Sequence, residues 1–422
     1  MNIDILGGRV VDPASGPTRV RDLWIRNGRL AEAPVGEPER TIDATGLTVM
    51  PGMVDAHCHL RDPGFEYKED IATGTASAAK GGFTSIACMA NTRPVCDNPA
   101  VAGYIRAKAA RVGRVNVFPI GAASKNLEGK ELAEIGLMAR EGIVAVSDDG
   151  HPIASADFMR KAMLYASDFG LTVISHCEDP SLGEGSMNEG ELSTLLGLRG
   201  VPSAAEEIQV AREVILAESL GLPVHIAHVS TAGSIRIIRE AKTRGVQVTC
   251  ETCPHYFVLT EEACAGYDTL AKVNPPLRTE ADRLAVIEGI QDGTIDMIVT
   301  DHAPHHEDEK SVEFALANSG FIGFESALPL TYGSLVLPGL LTLERMVELT
   351  GVNPARLLHI DRGTLSPGMP ADVLIADLDA VWTFDRFGTE SKSSNSPFNG
   401  MTLHGRSMWT LVSGEVVYEF LR

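Results

Sequence analysis

Two histidines separated by one residue, His57 and His59, stand at the end of an apolar run near the start of the chain. In an extended strand, alternate side chains lie on the same face, so both imidazoles point one way and Cys58 points the other. Imidazole nitrogen is a common ligand of zinc. One such pair is a weak signal by itself, because histidines packed in a core or on a surface can have the same spacing.

Further side chains that can bind a metal follow later apolar runs: Asp149, His176, His228 and Asp301. Imidazole together with carboxylate is a donor set suited to Zn²⁺. We assign one ion to His57, His59 and Asp301. A second ion is assigned to His176 and His228, and the Asp149 carboxylate bridges the two. Two divalent ions about 3.5 to 4 Å apart would trap a hydroxide of lowered pKa as a nucleophile. One ion at the first group could do similar chemistry, so the sequence leaves the count at one or two.

Eight short apolar runs position these residues, and the chemistry-bearing groups stand where the runs end. The runs are GLTVMPGMVDAHCH, TSIACMAN, VNVFPIGA, IVAVSDD, LTVISHC, PVHIAHVS, QVTCETCPH and DMIVTDHAP. Helix-compatible segments such as EEIQVAREVILAESLG and TAGSIRIIREAKTRG separate them, and each ends at a glycine suited to a C-cap. This alternation predicts an α/β fold with a closed (β/α)8 TIM-like barrel. The strand ends of such a barrel open on one face, where catalytic groups collect.

The two ends of the chain show a different pattern. Residues 1–52 and 357–422 contain short β-like runs punctuated by Gly, Pro and Asn, without a helical period. We therefore expect a small β-sandwich domain formed from both termini, and a barrel over residues 53–356.

Composition excludes some classes of partner. A formal net charge of −20 disfavours nucleic acid and anionic membranes, although it allows a small anion in a local basic pocket. No apolar run approaches the roughly 18 residues that span a bilayer, and the start, MNIDILGGRVVDP, does not resemble a signal peptide. The seven cysteines are scattered and odd in number, which is not typical of a disulfide framework. We expect a cytoplasmic protein with a small-molecule substrate.

The strings around the predicted ligands resemble the signature motifs of dihydroorotases, in the amidohydrolase superfamily. They are DAHCHLRDPG (55–64), NTRP (91–94), SDDG (147–150), HCED (176–179), TDHAPH (300–305) and SNSPFN (394–399). This resemblance runs nearly end to end. It implies a zinc-dependent cyclic amidohydrolase that interconverts L-dihydroorotate and N-carbamoyl-L-aspartate in pyrimidine biosynthesis, with Asp301 as general base and then general acid.

The resemblance also implies the substrate-binding residues. It assigns Arg61, Asn91 and His305 to the α-carboxylate of the substrate and Asn274 to a ring amide. An arginine fork suits a carboxylate. The alternative for Arg61 is a salt bridge at the barrel rim, to Asp62 or Glu66, and the alternative for Asn274 is a cap on the turn before Pro275.

The fourth run separates branches of the superfamily. Hydantoinases and dihydropyrimidinases are known for a carbamylated lysine there, whereas this chain has Val144-Ala-Val-Ser-Asp-Asp-Gly150 and no lysine. That pattern resembles the bacterial dihydroorotases with an aspartate bridge. Spacing from the first histidine pair favours Asp149 as the ligand, with Asp148 as the alternative.

Other functions also remain compatible with the sequence. The chain could be an allantoinase, hydantoinase or dihydropyrimidinase, or a non-catalytic homologue that stabilises aspartate transcarbamoylase. The resemblance implies a homodimer and leaves open an association of the active enzyme with aspartate transcarbamoylase. His225 is expected to be structural, on the strand face opposite His228, and residues 306–310 are expected to form a solvated loop or, alternatively, a lid.

Overall fold

The computed structural model describes residues 2–421, and within them the chain alternates strands and helices. The strands are β1 (Ile3–Val10), β2 (Arg19–Arg26), β3 (Arg29–Ala31), β4 (Arg40–Asp43), β5 (Thr48–Pro51), β6 (Met53–Cys58), β7 (Phe83–Cys88), β8 (Asn116–Pro119), β9 (Val173–Ser175), β10 (Met187–Asn188), β11 (Gly200–Val201), β12 (Val224–Ile226), β13 (Val248–Thr252), β14 (Met297–Ile298), β15 (Val373–Thr383), β16 (Thr402–Val412) and β17 (Glu415–Glu419). The helices are α1 (Ile71–Gly81), α2 (Pro99–Val112), α3 (Ile135–Arg140), α4 (Ala156–Ser167), α5 (Glu191–Leu196), α6 (Ala204–Leu220), α7 (Ala232–Thr243), α8 (Pro254–Val258), α9 (Glu280–Gln291), α10 (Glu307–Lys310), α11 (Phe324–Thr331), α12 (Leu343–Val347) and α13 (Asn353–Leu357).

Parallel strands from the middle of the chain form a closed barrel. One group pairs in the order β6-β7-β8, and a second in the order β9-β12-β13-β14. The fourth apolar run joins the groups, because Val146 bridges both Gly121 and Val173. On the opposite side, Cys58 bridges His302 and closes the barrel. All eight predicted runs therefore take part, and the fourth contributes isolated bridges rather than a regular strand.

Helices follow the strands and cover the barrel from outside. The predicted glycine at the end of α6 is Gly221, which has a left-handed φ of 63°, and Gly245 just beyond α7 has a φ of 79°. Apolar side chains of strands and helices make one continuous core, in which Val54, Ile86 and Ile226 are fully buried. Burying such side chains, at about 1.5 to 3 kcal/mol each, is the main term that holds the barrel together.

Strands from both termini form the second domain, as the sequence predicts. They pair in the order β17-β16-β15-β5-β1-β2-β3, and β4 pairs with β1. This sheet has its own apolar core, which includes Ile3, Ile25 and Val373. Thr410 of β16 donates a hydrogen bond to the carbonyl of Ala79 in α1 and so ties this domain to the barrel. The fold is an (β/α)8 barrel with a β-sandwich domain made by the two ends of the chain.

Among residues 2–421, no helix combines the length and the apolar character that crossing a bilayer requires.

Candidate metal centre and active site

The six predicted metal ligands meet at the carboxyl-terminal mouth of the barrel. His57 belongs to β6 and His59 follows it, whereas the other four come shortly after the fourth run, β9, β12 and β14. These six residues are at most 7% exposed: His57, His59, Asp149, His176, His228 and Asp301. A barrel brings them together because every strand ends on this face. Buried imidazoles and carboxylates gathered at such a mouth indicate a binding site for a charged ligand.

The first group contains His57 of β6 and His59, which follows that strand. Their Nε2 atoms both face the carboxylate of Asp149, at 3.4 Å from His57 to Oδ1 and 3.5 Å from His59 to Oδ2. Asp301 lies beside them, with Oδ1 at 3.1 Å from Nε2 of His59 and 3.6 Å from Nε2 of His57. Both histidines thus point to one side of their strand, as their spacing predicts.

The second group shares Asp149 with the first. Its Oδ1 is 3.5 Å from both Nδ1 of His176 and Nε2 of His228, and these two nitrogens are 2.8 Å apart. Single donor atoms of His57, His59 and Asp149, and likewise of Asp149, His176 and His228, lie within 4.8 Å of one another. A carboxylate common to two such groups has the position of a bridging ligand.

The donor atoms fit divalent cations. Among the described residues, Nε2 of His57 and Oδ1 of Asp149 are buried and have no hydrogen-bond partner, an arrangement that costs free energy unless something occupies the space between them. Burial opposes charge on both groups, yet Asp149 and Glu251 hold the pKa of His57 well above its usual value. Burial likewise opposes ionisation of Asp149, but the histidines around it hold its pKa well below the usual range. The site therefore favours a positive charge at its centre.

The general-base candidate, Asp301, is held ionised. Burial alone would raise the pKa of its carboxyl, but His59, His57 and His228 lower it below the usual value. Its position depends on Asp55, a fully buried residue in β6 that accepts hydrogen bonds from the backbone N–H and the hydroxyl of Thr300. These contacts connect the first strand to the last and place Asp301 beside His57 and His59.

Of the two adjacent aspartates in the fourth run, only Asp149 enters the cluster. The carboxylate of Asp148 turns away and accepts backbone hydrogen bonds from Ala123 at 2.8 Å and Ser124 at 3.0 Å, and a third from the Ser124 hydroxyl. With three donors on its carboxylate, Asp148 serves to fix the loop after β8. The geometry favours Asp149 over the alternative.

Three site residues carry a left-handed backbone. The φ angles are 60° for Arg61, 33° for His228 and 45° for Asp301. Residues other than glycine in this region cost about 1 to 3 kcal/mol each, and such strain persists where the surroundings impose it. Each of these residues follows a barrel strand, so the strain aims its side chain into the mouth instead of along the strand.

A cavity of about 420 Å³ opens above the cluster, and the four predicted substrate-binding residues line it: Arg61, Asn91, Asn274 and His305. Arg61 donates from Nε to the carbonyl of Pro304 at 3.2 Å, and its Nη2 lies 3.4 Å from Nε2 of His305. Within residues 2–421, Arg61 has no carboxylate within 4 Å, and Asp62 is instead paired with Lys108. The rim salt bridge considered for Arg61 does not form, so its terminal nitrogens are available to an anion.

The two asparagines contact metal-ligand candidates. Oδ1 of Asn91 lies 2.9 Å from Nδ1 of His59 and accepts its hydrogen, which turns the amide nitrogen of Asn91 away from the histidine. The amide of Asn274 lies 3.4 Å from Nε2 of His176. Both side chains thus stand between the cluster and the cavity.

The expectation of a solvated loop at residues 306–310 holds in part, because residues 306–308 are exposed, but the segment is not a loop and its last residue is buried. These residues include the short helix α10, and the Nζ of Lys310 is buried and donates to the carbonyl of Asn318 at 2.6 Å. Glu309 pairs with Lys68 at 2.9 Å and lies 3.2 Å from Nδ1 of His305. Burial lowers the pKa of His305 to about 3, so its imidazole is neutral at the cavity wall. Tertiary contacts to residues distant in sequence produce this structure, and local sequence did not reveal them.

Sequence reasoning missed Glu251, a fully buried residue of β13. Its carboxylate lies 2.6 Å from Nδ1 of His57 and 3.0 Å from Nε2 of His225. Burial would raise the pKa of Glu251, but the two histidines lower it to about 2. His225 is therefore more than a packing residue, since it contacts the partner of a predicted ligand. The available signal was a charged residue inside the otherwise uncharged run QVTCETCPH.

Comparisons with known proteins agree with this geometry. A family model described as dihydro-orotase-like matches residues 46–234. Dihydroorotase of Acetivibrio thermocellus is 58% identical over 419 residues, which cover 98% of this chain and 98% of that protein. Dihydroorotase of Geobacter metallireducens is 55% identical over 426 residues, which cover 99% of this chain and all of that protein.

Solved structures show the same architecture. L-hydantoinase (dihydropyrimidinase) from Arthrobacter aurescens matches with a TM-score of 0.90 at 27% identity, over 99% of this chain and 96% of that one. A dihydropyrimidinase from Brevibacillus agri matches with a TM-score of 0.85 at 23% identity, over 99% and 95% of the two chains, which shows the fold alone. Relatives more than half identical over nearly their whole length, together with the clustered ligands at the barrel mouth, show that this chain belongs to the dihydroorotase family.

Proposed function

We propose that this protein is a dihydroorotase that interconverts L-dihydroorotate and N-carbamoyl-L-aspartate in pyrimidine biosynthesis, with Zn²⁺ at the six clustered ligands. The observation that supports this most is the shared Asp149 carboxylate, which stands between two groups of histidines directly below a cavity containing Arg61. Each ion would have three or four imidazole and carboxylate donors. Such a set suits zinc better than hard cations, which prefer oxygen alone.

In this proposal the six ligands form two sites. His57, His59 and Asp301 would hold one ion, His176 and His228 the other, and Asp149 both. Bound there, Zn²⁺ would polarise the ring carbonyl of dihydroorotate and lower the pKa of a water molecule so that it can attack.

Asp301 moves the proton in this proposal. Its ionised carboxylate, 3.1 Å from Nε2 of His59, accepts a proton from the attacking water and returns it to the leaving amide nitrogen of the ring. The same group serves as base and then as acid because the nitrogen leaves from the carbonyl carbon that water attacks. In the direction of cyclisation, the carboxylate carries out the two transfers in reverse order.

Arg61, Asn91 and His305 orient the substrate. The Nη atoms of Arg61, one of which also lies 3.4 Å from Nε2 of His305, offer two N–H donors to the α-carboxylate, and the outward amide nitrogen of Asn91 adds a third. Neutral His305 can exchange its 2.9 Å contact with the carbonyl of Ser319 for one with the substrate. Asn274, beside His176, is placed to bind a ring amide. Hydantoin, allantoin and dihydrouracil lack this carboxylate, so the pocket favours dihydroorotate over all three.

The test of the proton-transfer role is Asp301→Asn. Loss of general acid–base catalysis costs about 10² to 10⁴ in turnover, and we expect a loss of this size at full metal content. The control is Asp292→Asn, an exposed residue just after α9 that precedes β14, whereas the cluster lies beyond the carboxyl-terminal end of that strand. Dihydroorotate turnover and metal content are measured on the same samples. Turnover within about tenfold of the unmodified protein, with metal bound, contradicts the assignment.

The metal and the substrate are tested on the unmodified protein. Elemental analysis after gentle purification should find one or two zinc ions per chain, and turnover of dihydroorotate should exceed that of dihydrouracil, hydantoin and allantoin. Less than one zinc per chain and no turnover would instead support a non-catalytic homologue.

We also propose a cytoplasmic homodimer. A reducing compartment suits the seven cysteines, all of which are buried and unpaired within the described residues. The dimer follows from the family resemblance, and sedimentation of the purified chain, alone and with aspartate transcarbamoylase, tests both the dimer and that association.

A further inference from the structure

The carboxylate of Glu251 joins two histidines in the barrel interior. Oε1 lies 2.6 Å from Nδ1 of His57, and Oε2 lies 3.0 Å from Nε2 of His225. All three side chains are completely buried. The remaining nitrogen of His225, Nδ1, lies 2.8 Å from the hydroxyl of Thr249. In this series of hydrogen-bonded side chains, each polar atom from the Thr249 hydroxyl to Nδ1 of His57 has a partner. Nε2 of His57 has none among the described residues.

The direction of these hydrogen bonds determines which nitrogen of His57 is free. A carboxylate only accepts hydrogen bonds, so both imidazoles must donate to Glu251. His57 therefore carries a hydrogen on Nδ1, and Nε2, which lies 3.4 Å from Asp149, is the nitrogen left to bind a metal. His225 donates from Nε2, so its Nδ1 accepts from the Thr249 hydroxyl. The Thr249 hydroxyl thus holds His225, and His225 in turn holds the second oxygen of the Glu251 carboxylate.

This contact cannot arise from neighbouring strands. Glu251 is in β13 and His57 is in β6, which are separated in the barrel by β14, and the residues are 194 positions apart in the chain. The contact passes over β14 on the inside of the barrel. His59 has a different partner, the neutral amide of Asn91, which also lines the substrate cavity. His57 and His59 are thus held by different groups, one charged and internal, the other neutral and next to substrate.

We propose that Glu251, held in place by His225, is a positioning residue that fixes the tautomer and orientation of His57 and so sets the affinity of the centre for Zn²⁺. The proposal rests on the proposed function, because it presupposes a metal at His57. Metal-binding histidines commonly donate their second N–H to such a partner, and loss of the partner weakens metal affinity by roughly 10- to 100-fold. Glu251 is the charged partner available to His57, so its contribution should fall in this range.

The test is Glu251→Gln, which keeps the size of the side chain and an oxygen that can accept from His57 but removes the charge. The matched control is Glu325→Gln. Glu325 is also largely buried, pairs with Lys80 at 3.0 Å and accepts from Ser77 at 2.9 Å, and contacts none of the proposed ligands. The affinity for Zn²⁺ is measured by competition with a chromophoric chelator, and the thermal midpoint is measured on the metal-free proteins. Absorption spectra of the Co²⁺-loaded proteins report the ligand geometry.

We expect Glu251→Gln to bind Zn²⁺ at least about tenfold more weakly than the unmodified protein and to show a shifted Co²⁺ spectrum. Glu325→Gln should change the thermal midpoint alone. A folded Glu251→Gln protein with Zn²⁺ affinity within about twofold of the unmodified one overturns the proposal. If the unmodified protein itself binds no Zn²⁺, the proposed function fails first, so the two failures are distinguishable.

A measurement on the unmodified protein keeps the proposal testable if the variant does not fold. In the Zn²⁺-loaded protein labelled with ¹⁵N-histidine, the Nδ1 resonance of His57 should show a directly bonded hydrogen. A His57 without a hydrogen on Nδ1 overturns the proposal, because Glu251 could then accept no hydrogen bond from His57.

Discussion

Replacing Arg61 with methionine tests how this enzyme recognises an acidic substrate. Methionine has an unbranched side chain that can occupy the space of the arginine stem, and it removes the guanidinium. Both residues are non-glycine, so the left-handed φ of 60° is strained to a similar extent in each. The substitution therefore removes donors from the cavity with little change in the backbone.

The structure sets the size of the expected effect. Nε of Arg61 is occupied by the carbonyl of Pro304 at 3.2 Å, which leaves the two Nη atoms for the substrate carboxylate. A hydrogen bond to a charged group contributes about 1.5 to 3 kcal/mol, so two of them contribute about 3 to 6 kcal/mol. At about 1.4 kcal/mol per factor of ten, kcat/KM for dihydroorotate should fall by about 10² to 10⁴.

Steady-state kinetics with dihydroorotate and with dihydrouracil provide the assay. Dihydrouracil has the same ring without the carboxylate, so its low kcat/KM should change little in Arg61→Met. Arg61→Lys keeps the charge but loses the planar fork, and it should fall between the other two proteins. The control is Arg111→Met, an exposed residue in the last turn of α2.

One result refutes this reasoning. If Arg61→Met is folded, holds its metal and retains kcat/KM for dihydroorotate within about threefold, Arg61 does not bind the carboxylate. Equal losses for dihydroorotate and dihydrouracil would also refute it, because they would indicate a damaged centre instead of lost recognition.

Two more predictions concern neighbouring acidic residues and a buried lysine. Asp149→Asn should lower both metal content and turnover. Asp148→Asn should keep the metal and lower the thermal midpoint, because Asp148 accepts three hydrogen bonds from the loop after β8. Elemental analysis and thermal melts check this, and metal loss in Asp148→Asn alone would reverse the assignment. Burial lowers the pKa of Lys310 from 10.5 to about 7, so the unfolded chain binds more protons between these values and stability rises with pH there, by at most about 1.4 kcal/mol per pH unit. The thermal midpoint should gain less between pH 7 and pH 9 in Lys310→Met than in the unmodified protein, and an equal gain in both would count against this lysine.

The sequence could predict the fold because its signals are local and repeated. Eight apolar runs, each followed by a helical segment, favour parallel strands with crossover helices, and such strands close into a barrel. The predicted ligands follow from the same logic, since a polar residue at the end of a barrel strand has to lie at the mouth. The fourth run shows the limit, because its backbone forms single bridges at Val146 instead of a regular strand.

The contacts that cross the barrel could not be predicted in this way. Nothing in the run QVTCETCPH indicates that Glu251 reaches His57 across the interior, because the distance between two strands depends on how the whole barrel closes. The same holds for α10, whose Lys310 is buried by carbonyl groups from a loop folded back over it. Local propensity describes a short segment and carries no information about such distant partners.

The amino-acid sequence by itself determined which residues could bind metal and that strand ends would gather them. The sequence favoured Asp149 as the carboxylate between the histidine groups but kept Asp148 as an alternative, and the tertiary structure separated the two, because Asp148 turns to the loop after β8. Tertiary structure alone decided that Glu251 contacts His57. The physical reason is that the donor chemistry of a side chain is fixed by its type, whereas its role depends on atoms within about 3 to 4 Å, and these come from distant parts of the chain.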